Sequence, residues 1–190
     1  MLGWTTKNIV ATTQRATIDD LYRVTSKAEL VNGQLKIMEP TGGEPGRASF
    51  AIAASLRDYE RHTGAGRSYG DNVGFRVYLP NRESFSPDAS FHAERSVSMK
   101  FVEGAPLFAA EVRSEGDYGP ASEREMARKR ADYFAAGTLV VWDVDLLSED
   151  VVRVYLATDP DRPTIFHRGE LAEAEPAVPG WRFPVDELFE

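Results

Sequence analysis

The run Leu107-Phe108-Ala109-Ala110-Glu111-Val112 does most to limit what this chain can become. A short, almost wholly apolar segment marks a strand buried on both faces, and such a strand needs a layer above it and another below. Yet the run carries a carboxylate. A charge in a buried strand costs several kcal/mol unless it is paired or bound to a metal. Period two puts Leu107, Ala109, Glu111 and Arg113 on one face. Two readings stay open: a Glu111–Arg113 neighbour pair at the strand's end, or a carboxylate held at a sheet edge for a metal.

The rest of the chain supplies the layers. Thr17 caps a helix expected to run to about Lys27. AELV and QLKIM alternate around Asn32-Gly33, the strongest short hairpin signal. PTGGEPG (40–46) reads as loop, and Ile52, Leu56 and Tyr59 fall at helical spacing before Gly64 and Gly66. Val73, Phe75, Val77 and Leu79 predict a half-buried strand stopped by Pro80, with NRESFSP as a turn region and a further strand from Asp88 to Ala93. Ser122 and Glu125 suggest a capping box for a helix to Ala136, closed by Gly137. TLVVWDVD and VVRVYLA read as two more strands, and EPAVPGWRFPVDELFE as a Pro-rich tail with apolar anchors. The expectation is one α/β (mixed α+β) domain, a mixed sheet flanked by helices, with residues 1–16 an extension and 160–190 an acidic C-terminal segment.

Composition narrows the chemistry. With no cysteine among the 190 residues, thiol nucleophiles and cysteine-based zinc sites are excluded, and three scattered histidines make no metal cluster. No Gly-x-Ser-x-Gly elbow supports acyl transfer, and no Walker loop or Gly-x-Gly-x-x-Gly supports nucleotide binding. A two-carboxylate glycosidase stays open by residue type, without aromatic sugar platforms to support it. No leader peptide or membrane span is read, so a cytoplasmic location is the expectation. Net charge is −8. Residues 145–190 hold 11 acidic and 4 basic side chains, leaving the remainder near neutral and able to present a basic groove.

Asp88 follows Pro87 and opens a strand; alone it is an ordinary turn-ending Asp. With Glu111 some twenty residues on, it forms the pattern by which neighbouring strands bring two carboxylates and a cation together. Two such carboxylates and a backbone carbonyl are hard oxygen donors suited to Mg²⁺ or Mn²⁺. Lys129 lies on the stripe Ser122, Met126, Lys129, Tyr133, Ala136; it either snorkels past its neighbours or points at Glu111. Arg113 could stabilise charge but not act as a base.

AELVNGQLKIMEP, SPDASF, PLFAAEVRSEGD, ARKRADYFAAGTLVVWDVD and VPGWRFPVDELF, in that order, resemble the Uma2 family, bacterial proteins assigned to endonuclease activity on the PD-(D/E)xK restriction-endonuclease fold. The likeness spans about residues 15–190 and rests on the ordered set. It implies that Glu29, Asp88 and Glu111 take the family's acidic positions and that Lys129, in Lys-x-x-x-Tyr-x-x-x-Gly, takes its helix-borne lysine. Glu29 alone also reads as an exposed hairpin position. Two departures stand out: Ser49 replaces a usual histidine, and the usual Ser-Pro-x-Asp reads Ser114-Glu115-Gly116-Asp117.

The expectation is a metal-dependent hydrolase cutting nucleic acid, DNA before RNA, as a homodimer. Asp88, Glu111 and Val112 would hold Mg²⁺ or Mn²⁺, and Lys129 would act on water or phosphate with Arg113 and Glu29 in support. The rival is a nuclease-fold protein without catalysis, serving as a binding or assembly module. If DNA binds, Arg124, Arg128 and Arg130 on one helix and Arg57 and Arg61 on another should gather near the site; otherwise they are solvated helix faces, with Arg128 and Arg130 paired to Glu125 or Asp132.

Overall fold

The computed structural model describes residues 15–94 and 98–190; most of the extension expected over 1–16 lies outside the described residues. Thr17 caps helix α1, and its hydroxyl and Asp20 form a reciprocal capping box. The helix stops at Leu21, six residues short of expectation, and the chain turns so that Leu21 packs with Ala28 and Leu30. Strands β1 (Ala28–Val31) and β2 (Gln34–Ile37) form the expected hairpin. Asn32 (φ 53°) and Gly33 (φ 70°) both take the left-handed conformation that a two-residue turn of this kind demands. Helix α2 (Gly43–Thr63) starts inside the expected loop, because Pro45 fits a first helical turn, and ends on left-handed Gly64 as expected.

Six strands build the central sheet: β3 (Arg67–Tyr69), β6 (Ala89–His92), β8 (Phe108–Val112), β9 (Val140–Val144), β10 (Val152–Leu156) and β11 (Asp159–Phe166), in the order β11-β10-β9-β8-β6-β3. Within this sheet, among the described residues, only β8 and β9 pair in parallel, joined by the crossover helix α3 (Pro120–Ala136). A small sheet of β4 (Phe75–Arg76), β5 (Ser84–Phe85) and β7 (Val102–Glu103) and a ribbon of β12 (Leu171–Glu173) and β13 (Arg182–Pro184) complete the strands. The strand expected over residues 73–79 keeps its buried Phe75 and Val77, but only Phe75–Arg76 pairs within a sheet. The expected turn region NRESFSP contains β5.

The two faces of β8 explain its composition. Phe108, Ala110 and Val112 meet Ala48, Ile52 and Leu56 of α2, together with Trp142 and Val144 of β9. The tail is part of this layer, with Trp181, Phe183, Val185 and Leu188 all buried. Ala109 faces the other way, toward Tyr133 of α3 and Phe75, Val77 and Phe85 of the small sheet. Helix α3 begins three residues earlier than a Ser122 cap predicts. Pro120, which has no N–H to satisfy, takes the first position after Gly119 (φ 93°). The Ser122 hydroxyl donates to the Gly116 carbonyl, and Glu125 pairs with Lys36 of β2. Ser122, Met126, Lys129, Tyr133 and Ala136 do form the less exposed stripe of the helix. Among the described residues no helix is long and apolar enough to cross a membrane.

Candidate active site

Three elements converge behind β8. Glu29 comes from β1, Glu111 from β8 and Lys129 from α3. The Lys129 ammonium lies 2.8 Å from Glu111 Oε2 and 2.9 Å from Glu29 Oε1. Glu29 is not an exposed hairpin residue: its side chain is 2 % exposed, Arg82 donates to Oε2 at 2.5 Å and the Ser86 N–H to Oε1 at 3.0 Å. Arg82 in turn reaches Asp132 of α3 at 2.8 Å and lies over the Phe85 ring. The Tyr133 hydroxyl, stacked on Phe85, donates to Glu111 Oε1 at 2.7 Å.

Asp88 sits beside Glu111 because β6 and β8 pair antiparallel with Ala89 opposite Ala110. Its Oδ2 accepts from the Val112 N–H at 2.8 Å, and its Oδ1 from Lys27 at 2.6 Å. Lys27 also touches Asp71. Five carboxylates (Glu29, Asp71, Asp88, Glu111, Asp132) and three cations (Lys27, Arg82, Lys129) thus alternate through one network. Acids outnumber bases, and the site is electronegative.

That imbalance divides the groups. Burial opposes the charge of Glu29, but Lys129 and Arg82 outweigh it and hold the carboxyl down at about 2. Glu111 goes the other way: loss of water raises its pKa, Asp88 and Glu29 add to the rise, and Lys129 and Lys27 only partly offset it. Burial also works against Lys129, yet Glu111 and Glu29 prevail and keep it protonated well above the usual lysine range. Burial and the same two carboxylates push the Tyr133 phenol up, so it stays a donor. A permanent cation flanked by one stubbornly ionised carboxylate and one reluctant one is a site for managing negative charge.

Arg113 does not pair with Glu111. Its guanidinium takes Asp143 of β9 at 2.8 and 2.7 Å and also binds Glu123 in the first turn of α3. Asp145 lies 3.9 Å away, and no hydrogen bond or ion pair joins Arg113 to Lys129 or Asp88. Its geometry fastens the start of α3 to the sheet and so sets where Lys129 lands. Arg113→Met should therefore lower stability by about 3–5 kcal/mol, the range for breaking a buried pair. Urea unfolding measures this. Activity, at a temperature where the variant stays folded, should fall far less than in a Lys129 variant.

The two departures from the family pattern have local explanations. The Ser49 hydroxyl donates to the Gly46 carbonyl of its own helix, so it offers no proton donor in place of an imidazole. Ser114 and Asp117 close a turn on each other, with the Ser114 N–H on Asp117 Oδ2 and the Asp117 N–H on the Ser114 carbonyl. The basic residues do not gather on one side. Arg57 and Arg61 belong to α2, across the sheet from Lys129, and pair with Glu60 and Asp58. Arg130 lies over the Tyr155 ring. Arg124 and Arg128 are exposed on α3. Glu125 and Asp132 are taken by Lys36 and Arg82, so the expected pairs to Arg128 and Arg130 do not form. Lys27, Asp71, Arg82, Asp132 and Tyr133's hydroxyl are the contributions that sequence reading missed. Lys27 left a signal in standing two residues before Glu29, just ahead of β1, and Tyr133 in its place in Lys-x-x-x-Tyr-x-x-x-Gly.

A helix-flanked mixed sheet, with acids at its central strands and a half-buried lysine reaching them from α3, matches a nuclease-like fold. A crystal structure described as "a putative nuclease belonging to DUF820 from Anabaena variabilis ATCC 29413" superposes with a TM-score of 0.71 at 16 % identity, covering 91 % of this chain and 97 % of that one. The chain belongs to the Uma2 family, described as "Putative restriction endonuclease", whose model matches residues 17–186. No curated protein matches it.

Proposed function

We propose that the protein is a metal-dependent endonuclease that hydrolyses phosphodiester bonds of DNA. The observation that carries this reading is the placement of Lys129 against Glu111, with Asp88 on the adjoining strand. Among the described residues no three His, Asp or Glu side chains form a closed metal cage. Two carboxylates fit Mg²⁺ or Mn²⁺ nonetheless, because these ions keep several waters and take one or two protein carboxylates. Asp88 and Glu111 would hold the ion with the Val112 carbonyl. When bound, such an ion lowers the pKa of a water and neutralises phosphate charge. Lys129, held protonated, is no general base; it donates hydrogen bonds to a phosphate oxygen or to the attacking water. Glu29 and Arg82 fix where that ammonium points, and Tyr133 fixes Glu111.

A second reading is a nuclease-fold module without catalysis. It is favoured by the saturation of both acids: Glu111 by Tyr133 and Lys129, Asp88 by Lys27 and the Val112 N–H. Plasmid nicking with Mg²⁺ or Mn²⁺ separates the two. Wild type should convert supercoiled to nicked DNA, and Asp88→Ala and Lys129→Ala should not. Equal nicking in all three would point to another site or a contaminant, and none in any would favour the module. Cutting both strands would require two sites, which a two-fold dimer supplies. With Arg124 and Arg128 as the exposed phosphate contacts, log affinity should fall with log salt at a slope of about −2.

A further inference from the structure

The cation closest to Asp88 is Lys27. Its ammonium lies 2.6 Å from Asp88 Oδ1 and 2.5 Å from Asp71 Oδ1, with the side chain 16 % exposed. Asp88 Oδ2 is committed to the Val112 N–H. Lys27 therefore sits on the one Asp88 oxygen that no backbone group claims. Glu111 attracts the same ammonium.

Lys27 and Lys129 are anchored differently. Lys129 is held between Glu29 and Glu111, both within the site. Lys27 has one partner in the site and one outside it: Asp71 is 41 % exposed and fixed by the Asn72 N–H on its Oδ1. An ammonium and a divalent ion repel each other, so Lys27 on Asp88 Oδ1 competes with a metal for that carboxylate. Letting go of Asp88 leaves Lys27 still paired, on a carboxylate it already touches.

We propose that Lys27 is a built-in counter-ion: it neutralises Asp88 and Glu111 when no metal is bound and withdraws onto Asp71 when a divalent ion binds, so that the Lys27–Asp71 pair sets the metal affinity of the site. The inference rests on the metal reading above. It assigns opposite effects to two neighbouring changes. Lys27→Met removes the competitor and should tighten Mn²⁺ binding about tenfold, the scale on which outer partners tune metal sites. Asp71→Asn removes the place to which Lys27 withdraws and should weaken binding. A merely structural role would shift both variants the same way.

The test is calorimetric titration of the full chain with MnCl₂ alone, wild type beside Lys27→Met, Asp71→Asn and Asp88→Ala. Thermal melts with and without Mn²⁺ accompany it. The expected result is tighter binding in Lys27→Met, with a lower metal-free melting temperature and a larger Mn²⁺-induced rise. Asp71→Asn, altered at an exposed position, should bind more weakly. Unchanged or weaker binding in a folded Lys27→Met, with binding lost in Asp88→Ala, overturns the counter-ion and leaves the metal reading standing. Should Lys27→Met not fold, unweakened binding in Asp71→Asn overturns it equally. No Mn²⁺ binding in any protein overturns both.

Discussion

Lys129→Met is expected to lower stability by about 3–5 kcal/mol and to abolish cleavage. The ammonium is the shared partner of Glu29 and Glu111, so its removal leaves two carboxylates facing each other across a buried gap. Arg82 still serves Glu29 and Tyr133 still serves Glu111, but neither reaches both. Against a typical total of about 5–15 kcal/mol for a domain, the loss is a large share. Urea unfolding followed by circular dichroism measures it. The double variant Glu29→Gln/Lys129→Met should recover part of the stability, since one of the stranded charges is gone, yet show no nicking. Recovery of both together would mean that Lys129 serves only the fold.

What the sequence discloses here is what local physics decides. Two adjacent left-handed residues at Asn32 and Gly33 make a tight turn almost obligatory, and the hairpin stands where it was expected. The apolar run 107–112 needed cover on both faces, and it lies at the centre of the sheet between the two helix layers. The choice between a snorkelling Lys129 and one aimed at Glu111 was open by periodicity alone. The structure resolves it, because Tyr133, one turn on, is buried against Phe85 and turns the whole stripe inward.

What stayed hidden depends on distant pairing. Arg82 lies in a turn-forming stretch and meets Glu29 across 53 residues only because the small sheet carries it there. Strands β4, β5 and β7 have two residues each and β3 has three, too few to show a period. The Glu111–Arg113 pair was plausible from spacing, but Asp143 arrives opposite Glu111 on the parallel strand β9 and takes the guanidinium. For α3, Ser122 and Glu125 satisfied the capping pattern, yet Pro120 offered an earlier start and the chain used it.

Glu111→Gln should raise the melting temperature while sharply lowering cleavage. Glu111 is driven upward by desolvation and by its acidic neighbours, so the folded protein disfavours its charge. A group whose folded pKa lies above its unfolded value contributes stability that is complete below the unfolded value, about 4.3 for Glu, and is lost as the pH rises through the folded one. Gln cannot ionise, so it escapes that loss; its single carbonyl oxygen can accept from Lys129 while its amide N–H donates to the Tyr133 oxygen. Wild type and variant should therefore melt together below about pH 4 and diverge as the pH rises, the variant higher at neutrality. Glu29, held down at about 2, has the reverse sign: its contribution is present above the unfolded value and fades as the pH falls toward 2. Cleavage should drop by about 10²–10³-fold or more, the scale for removing one placed electrostatic group. Melting curves from pH 4 to 8 read the first effect and single-turnover nicking the second. A variant less stable than wild type at pH 7 would show that Glu111 serves the fold as a charge, and would leave its retention in a buried strand without a functional cause.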